Sequence, residues 1–175
     1  DLELEPFYKL HKSRYAIYFK VVSKEELSKM EAEMAKKEAE NKALADATVD
    51  LIFPGEQQPE SDHFIKTKNS NAGVHKGKHW RDATGWFSYE MRNPILEARK
   101  LRVMYLGSDN GREFTVKING IKVADVKLDG SKGGIFFTEN YELPKTSQGS
   151  EKLVVKFEAA KGSTAGGVYE VRLMK

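Results

Sequence analysis

A mainly β protein, an antiparallel β-sandwich of jelly-roll type behind one long helix, is what the sequence predicts, and three observations carry that reading. The first is Leu101–Asp129, LRVMYLGSDNGREFTVKINGIKVADVKLD. Leu101, Val103 and Tyr105 alternate with Arg102 and Met104, and Phe114, Val116 and Ile118 alternate with Thr115 and Lys117, the period of strands with one buried face. Asn119-Gly120 then leads into Ile121, Val123 and Val126, and that pair suits the positive φ angles of a type I′ hairpin turn. The second is a succession of about eight short apolar runs divided by polar turns, the pattern of a sandwich. The third is Ser23–Ala45, rich in Lys and Glu and opened by Ser23 and Glu26, a capping-box spacing.

In chain order, Ser13–Val22 (SRYAIYFKVV) is expected as a strand apolar on both faces, a type that needs cover from neighbours. The helix that follows carries only Leu27, Met30, Met34 and Leu44 as a thin stripe. It reads as a solvated connecting strut, because the heptad fails at Lys37 and Asn41. The composition changes near Asp46, which places residues 1–46 as an N-terminal strand and connecting helix and residues 47–175 as the sandwich. Thr48–Phe53 is a short strand, and Pro54–His63 (PGEQQPESDH) is a loop whose prolines exclude a central ladder. Ser70–Arg81 is treated as a loop. Trp86–Arg92, Ile135–Leu143, Lys152–Ala159 and Val168–Met174 are expected strands. The strands at Leu101 and Phe114 are expected to be linked as a hairpin through Ser108–Gly111, as are the second and third.

Composition limits function. The 175 residues hold 29 Lys and Arg against 26 Asp and Glu, a net +3, and no cysteine. That balance gives no reason to expect nucleic acid as a partner, and no apolar run is long enough to span a bilayer. Disulfides, thiolate metal sites and cysteine nucleophiles are excluded. A start at Asp1 without initiator Met or signal peptide reads as a processed or excised piece.

The chemistry-bearing residues have bland readings beside the sharp ones. His63, His75 and His79 with Asp62 lack the spacing of a zinc site, and loop histidines bonded to backbone are expected. No metal and no other cofactor is assigned, although Asp109, Asn110, Asp125 and Asp129 are oxygen donors for a structural calcium. Glu56, Glu60 and Asp62 are the carboxylates an independent carbohydrate-active enzyme would use, but no second acidic cluster completes a cleft. For sugar binding the expected site has Trp80 as platform with Glu56, Gln57, His63, His79 and Arg81 as polar partners. Against it stands a core role for Trp80 and an ion pair of Arg81 with Asp82 or Glu60.

FYKLHKSRYAIYF at Phe7–Phe19, DLIFPGEQQPESDH at Asp50–His63, SNAGVHKGKHWRDATGWFSY at Ser70–Tyr89 and AGGVYEVRLM at Ala165–Met174 resemble the C-terminal part of large bacterial glycoside hydrolases. These are the β-L-arabinofuranosidases of glycoside hydrolase family 127 and their relatives, common in Bacteroides-like bacteria that degrade plant glycans. The resemblance implies a galactose-binding-like sandwich, a periplasmic or extracellular setting, and partners in the catalytic and β-sandwich domains of a parent enzyme. It also implies plant oligosaccharide as a ligand; the charge balance and the lack of a long apolar run already give no nucleic acid and no membrane as partners. The family's active site uses cysteine and glutamate with a cysteine-bound zinc on an (α/α) barrel; this chain has no cysteine, so no catalytic residue carries over. The expected function is a non-catalytic accessory module, with a purely structural wedge as the remaining alternative.

Overall fold

The computed structural model describes residues 22–175. The expected strand at Ser13–Val22 lies outside them except for its last residue. The chain divides after Ala43 into two compact units, the second being Leu44–Lys175. Helix α1, Lys24–Ala47, starts as its capping box predicts. The Ser23 amide donates to Glu26 Oε2 at 2.9 Å and the Glu26 amide to Ser23 Oγ at 3.2 Å, which satisfies two amides that lack intrahelical partners. Its last turn is fixed within the second unit: Thr48 Oγ1 donates to the Leu44 carbonyl at 2.6 Å and the Lys175 amide to that of Ala47 at 2.9 Å.

The second unit is a mainly β, antiparallel jelly-roll-type sandwich. Its strands are β1 (Thr48–Ile52), β2 (Lys66–His75), β3 (Lys78–Arg92), β4 (Lys100–Leu106), β5 (Asn110–Ile118), β6 (Ile121–Asp129), β7 (Phe136–Glu142), β8 (Lys152–Ala159) and β9 (Ala165–Met174). Short helices α2 (Gln57–Asp62) and α3 (Lys145–Gln148) sit in the connections. Hydrogen bonding runs in the order β6-β5-β8-β3-β9-β4-β7, with β1 added on β9 and β2 on β3. Although three strands separate β4 from β5 in this order, Tyr105 and Phe114 meet edge to face at 5.9 Å. The sheet therefore folds over into two layers around its own core.

The fold-over is made by β3. Its first half, Arg81–Ala83, pairs with the start of β9, while Trp86–Arg92 pairs with β8. Register shifts fall between Arg81 and Asp82 and, on the neighbouring β2, between Lys68 and Ser70, and irregularities of this kind bend a strand from one layer into another. Phe87, Tyr89, Leu101, Val103, Val116, Val155 and Phe157 all face inward and are buried. Phe87 and Phe157 stack at 4.9 Å.

The hairpin at Asn119-Gly120 is as expected, with φ angles of 49° and 80°. The expected hairpin between the strands at Leu101 and Phe114 does not form: β4 pairs with β7 and β9, and β5 with β6 and β8. The connection crosses between layers instead, since the turn formers at Ser108–Gly111 fix only a change of direction, not a partner. Ser70–Arg81, expected as loop, is the distal part of the β2-β3 hairpin, turning at Lys76 and Gly77 with φ angles of 49° and 73°. The polar residues on both faces of β2 belong to an exposed edge, which shows no amphipathic alternation.

Candidate functional site

Two regions have the chemistry of a site. The first is the Pro54–His63 connection against the β2-β3 hairpin, where the sequence placed the ligand. Gly55 packs so closely under Trp80 that a Cβ there would lie 2.6 Å from the Trp80 carbonyl oxygen, and its φ is 89°. That approach turns α2 so that Glu60, only 5% exposed, points inward. Arg81 donates to it twice, Nε to Oε1 at 2.5 Å and Nη2 to Oε2 at 2.6 Å. The Gly55 amide and the Tyr89 hydroxyl each add a bond at 2.8 Å. Burial alone would raise the Glu60 pKa; the bonds from Arg81, Gly55 and Tyr89 outweigh it and hold the carboxyl below its usual range. A carboxylate so bound fixes the loop and is unsuited to donate a proton at neutral pH.

His63, at 6% exposure, forms the second anchor. Its Nδ1 lies 2.7 Å from the Pro59 carbonyl oxygen and its Nε2 3.1 Å from Asp50 Oδ2. Both ring nitrogens face acceptors, so the imidazolium form is favoured. The bond to Asp50 is the main cause of a raised His63 pKa. Asp50 also accepts from the Arg92 amide at 2.6 Å; burial opposes its ionisation, yet its pKa lies below the ordinary value.

The structure thus joins two predicted segments through Glu60 and Arg81 but does not gather the six sugar-site residues on one surface. Arg81 faces Glu60 and Ser70. Trp80, its neighbour on the strand, points to the opposite face, as the period of two requires. Its indole lies on Gly73, where a Cβ would be 2.7 Å from the ring, and is half-buried. His79 is half-buried opposite Val74, Glu56 is half-buried at the entrance of α2, and Gln57 is exposed.

The second region was not anticipated. The edge strands β6 and β7 stand at opposite ends of the strand order yet line one cleft of about 240 Å³. It is the mouth of the sandwich. Val126 and Leu128 form one wall, and Phe137, Glu139 and Tyr141 the other, with Asp109, Asp125, Asp129, Lys127 and Lys132 around them. Lys132 bonds Glu139 at 2.9 Å and lies 3.6 Å from the centre of the Phe137 ring. The Tyr141 hydroxyl is 3.1 Å from that of Tyr105, and burial pushes its pKa to about 12. It is therefore a neutral donor and acceptor. One signal for this wall is present in IFFTENYEL: alternation puts Glu139 on the inward face between Phe137 and Tyr141, and a carboxylate there must reach water or a partner.

Of the four oxygen donors considered for calcium, the three aspartates are each engaged by a different partner. Asp125 is bonded by Thr115 and Lys122, Asp129 by the Ser131 amide, and Asp109 pairs with Arg112 at 3.5 Å. Among the described residues no group of three or more His, Cys, Asp or Glu could hold a metal ion, and no helix is long and apolar enough to cross a membrane.

Residues 43–174 match the model of a family described as "Family of unknown function (DUF6805)". The chain belongs to this family. No curated protein matches it. Among solved structures it is similar to the ANX1 ectodomain of Arabidopsis thaliana, at 18% identity and a TM-score of 0.48 over 71% of this chain and 41% of that one. It thus spans well under half of that ectodomain. A family 35 carbohydrate binding module from Clostridium thermocellum aligns at 14% identity and a TM-score of 0.43, over 70% of this chain and 95% of the module. A carbohydrate binding module of Cellvibrio mixtus lichenase 5A, in complex with cellotriose, aligns at 11% and 0.48 over 73% and 98%. The likeness is one of fold.

Proposed function

We propose that the sandwich is a non-catalytic accessory module that binds glycan in the cleft between β6 and β7 and works attached to a larger carbohydrate-active enzyme. The observation that carries this reading is the cleft wall: two rings, Phe137 and Tyr141, flank a carboxylate, with further acids and two lysines at the rim. Sugars offer C–H faces that pack on rings and hydroxyls that bond carboxylates and ammonium groups. The resemblance of Asp50–His63 and Ser70–Tyr89 to glycoside hydrolase family 127 proteins supports the setting, with the module packed on a catalytic domain outside the cell or in the periplasm. An independent hydrolase at Glu56, Glu60 and Asp62 is disfavoured, because Glu60 is held ionised by Arg81.

Calorimetric titration of the chain with arabino- and galacto-oligosaccharides from plant walls tests the proposal. We expect Tyr141→Ala and the shape-conserving Glu139→Gln each to weaken binding about tenfold, the scale of one lost ring contact or charged hydrogen bond. Binding of no oligosaccharide, or binding that survives both substitutions, overturns it. A second reading retains Trp80, whose half-exposed indole lies on Gly73. It predicts the loss in Trp80→Ala instead. Both tryptophans of the chain, Trp80 and Trp86, lie outside the cleft lining, so ligand-induced quenching that persists in Trp86→Phe, where Trp80 alone reports, favours the second reading.

A further inference from the structure

Away from the cleft, the outer face of the β2-β3-β8-β5 layer carries an ordered set of charges. Phe87 and Tyr89 of β3 point into the core, so Trp86 and Ser88 point outward. The strand registers place Lys68, Trp86, Glu158 and Thr115 side by side in one row, and Lys66, Ser88, Lys156 and Lys117 in the next. Four lysines thus surround one carboxylate and one indole. Glu158 is already engaged by Lys117 and, at 2.8 Å, by Lys156, whose ammonium also lies 4.6 Å from the Trp86 ring centre. Lys66 and Lys68 are exposed and have no ion-pair partner among the described residues.

We infer that this face docks an acidic polysaccharide, a glycan carrying about one carboxylate per sugar, on a surface separate from the cleft. The argument is one of charge spacing. Lysines on neighbouring strands stand about 5 Å apart and those two residues apart on one strand about 7 Å, and a polymer charged once per sugar ring can match such a grid. Duplex DNA, with a charge about every 1.7 Å of axis, needs a denser cationic surface. Single strands need several stacking rings along a groove, whereas this grid has one. Trp86 supplies the one indole on which a sugar's C–H face can pack, Lys66 and Lys68 the free cations, and Ser88, 6% exposed beneath its neighbours, keeps the centre flat.

Affinity electrophoresis of the whole chain through gels holding polygalacturonate, neutral galactan or duplex DNA tests this. We expect polygalacturonate to retard the chain, with a steep decline as salt rises, and the double variant Lys66→Ala/Lys68→Ala to lose about tenfold in affinity. The variant's unfolding midpoint, expected to match wild type, separates lost binding from lost folding. Loss of retardation by polygalacturonate in the Lys66→Ala/Lys68→Ala variant, with its behaviour in neutral galactan unchanged from wild type, distinguishes this surface from the cleft. Absence of retardation by polygalacturonate, equal retardation by DNA, or an unaffected Lys66/Lys68 double variant overturns the inference.

Discussion

Asp50 and His63 hold the connection after β1 against the sheet, and their opposite pKa shifts give stability a pH dependence with a definite sign. His63 has its pKa raised above the ordinary 6.5. Its contribution is whole below pH 6.5 and is lost as pH rises through the folded-state value. Asp50 has its pKa lowered below 3.8, so its contribution is whole above that pH and is lost as pH falls through the folded value. The pair is most stabilising between the two. Stability measured by urea unfolding should therefore decline from pH 6 towards pH 8, and His63→Gln should flatten that decline while costing about 1.5–3 kcal/mol at pH 6, the scale of a hydrogen bond to a charged group. An unchanged slope in the variant would place the titrating group elsewhere. Only part of this was legible in PGEQQPESDH. A loop histidine bonded to backbone was the expected state, and the Pro59 carbonyl bond agrees with it, but Asp50 lies 13 positions away, a partner only the tertiary fold supplies. The same holds for Glu60 and Arg81, where an ion pair was weighed and its full set of four donated bonds was not.

At the scale of elements, strands were legible where alternation is strong and one face is buried, as in β4, β5, β8 and most of β9. They were not where both faces are polar, as in β2, nor where a turn uses Lys76-Gly77 in place of Asn-Gly. Pairing was harder to read than existence: the Asn119-Gly120 turn specified its hairpin, whereas Ser108–Gly111 is compatible with either a hairpin or a crossover. Asn119 does more than turn the chain. Its amide donates to the Val154 carbonyl at 2.9 Å and its side-chain oxygen accepts from the Val154 amide at 2.8 Å, which ties the hairpin to β8. Gly120 has φ of 80° and nothing within 4 Å of a built Cβ. Gly120→Val should therefore cost about 1–2 kcal/mol from backbone strain alone, with the denaturant midpoint lowered and its slope unchanged. Full wild-type stability would mean that the turn relaxes out of the left-handed region without penalty.

For the sandwich as a whole, the cleft and the cooperativity have one origin. A single hydrogen-bonded sheet folds over at β3 and β9, so its two end strands, β6 and β7, meet without pairing and leave the cleft between them. The sequence could show the inward strand faces but not this opening, because it depends on the order of strands and not on any one of them. The same continuity couples the layers. Phe157 of β8 is fully buried, stacks on Phe87 at 4.9 Å and lies 6.5 Å from Phe114, which in turn meets Tyr105 of β4 in the other layer. Phe157→Ala should remove about 3–5 kcal/mol, as expected for a large buried ring deleted from a packed core. Because β3 belongs to both layers, the loss should not stay local. Native-state hydrogen exchange should show protection falling by the same free energy in β4 as in β5 and β8, and tryptophan fluorescence, read from Trp80 and Trp86 on β3, should give a matching unfolding free energy. If β4 kept its protection while β5 and β8 lost theirs, the layers would be separate folding units, and the β3 corner would be a hinge between them.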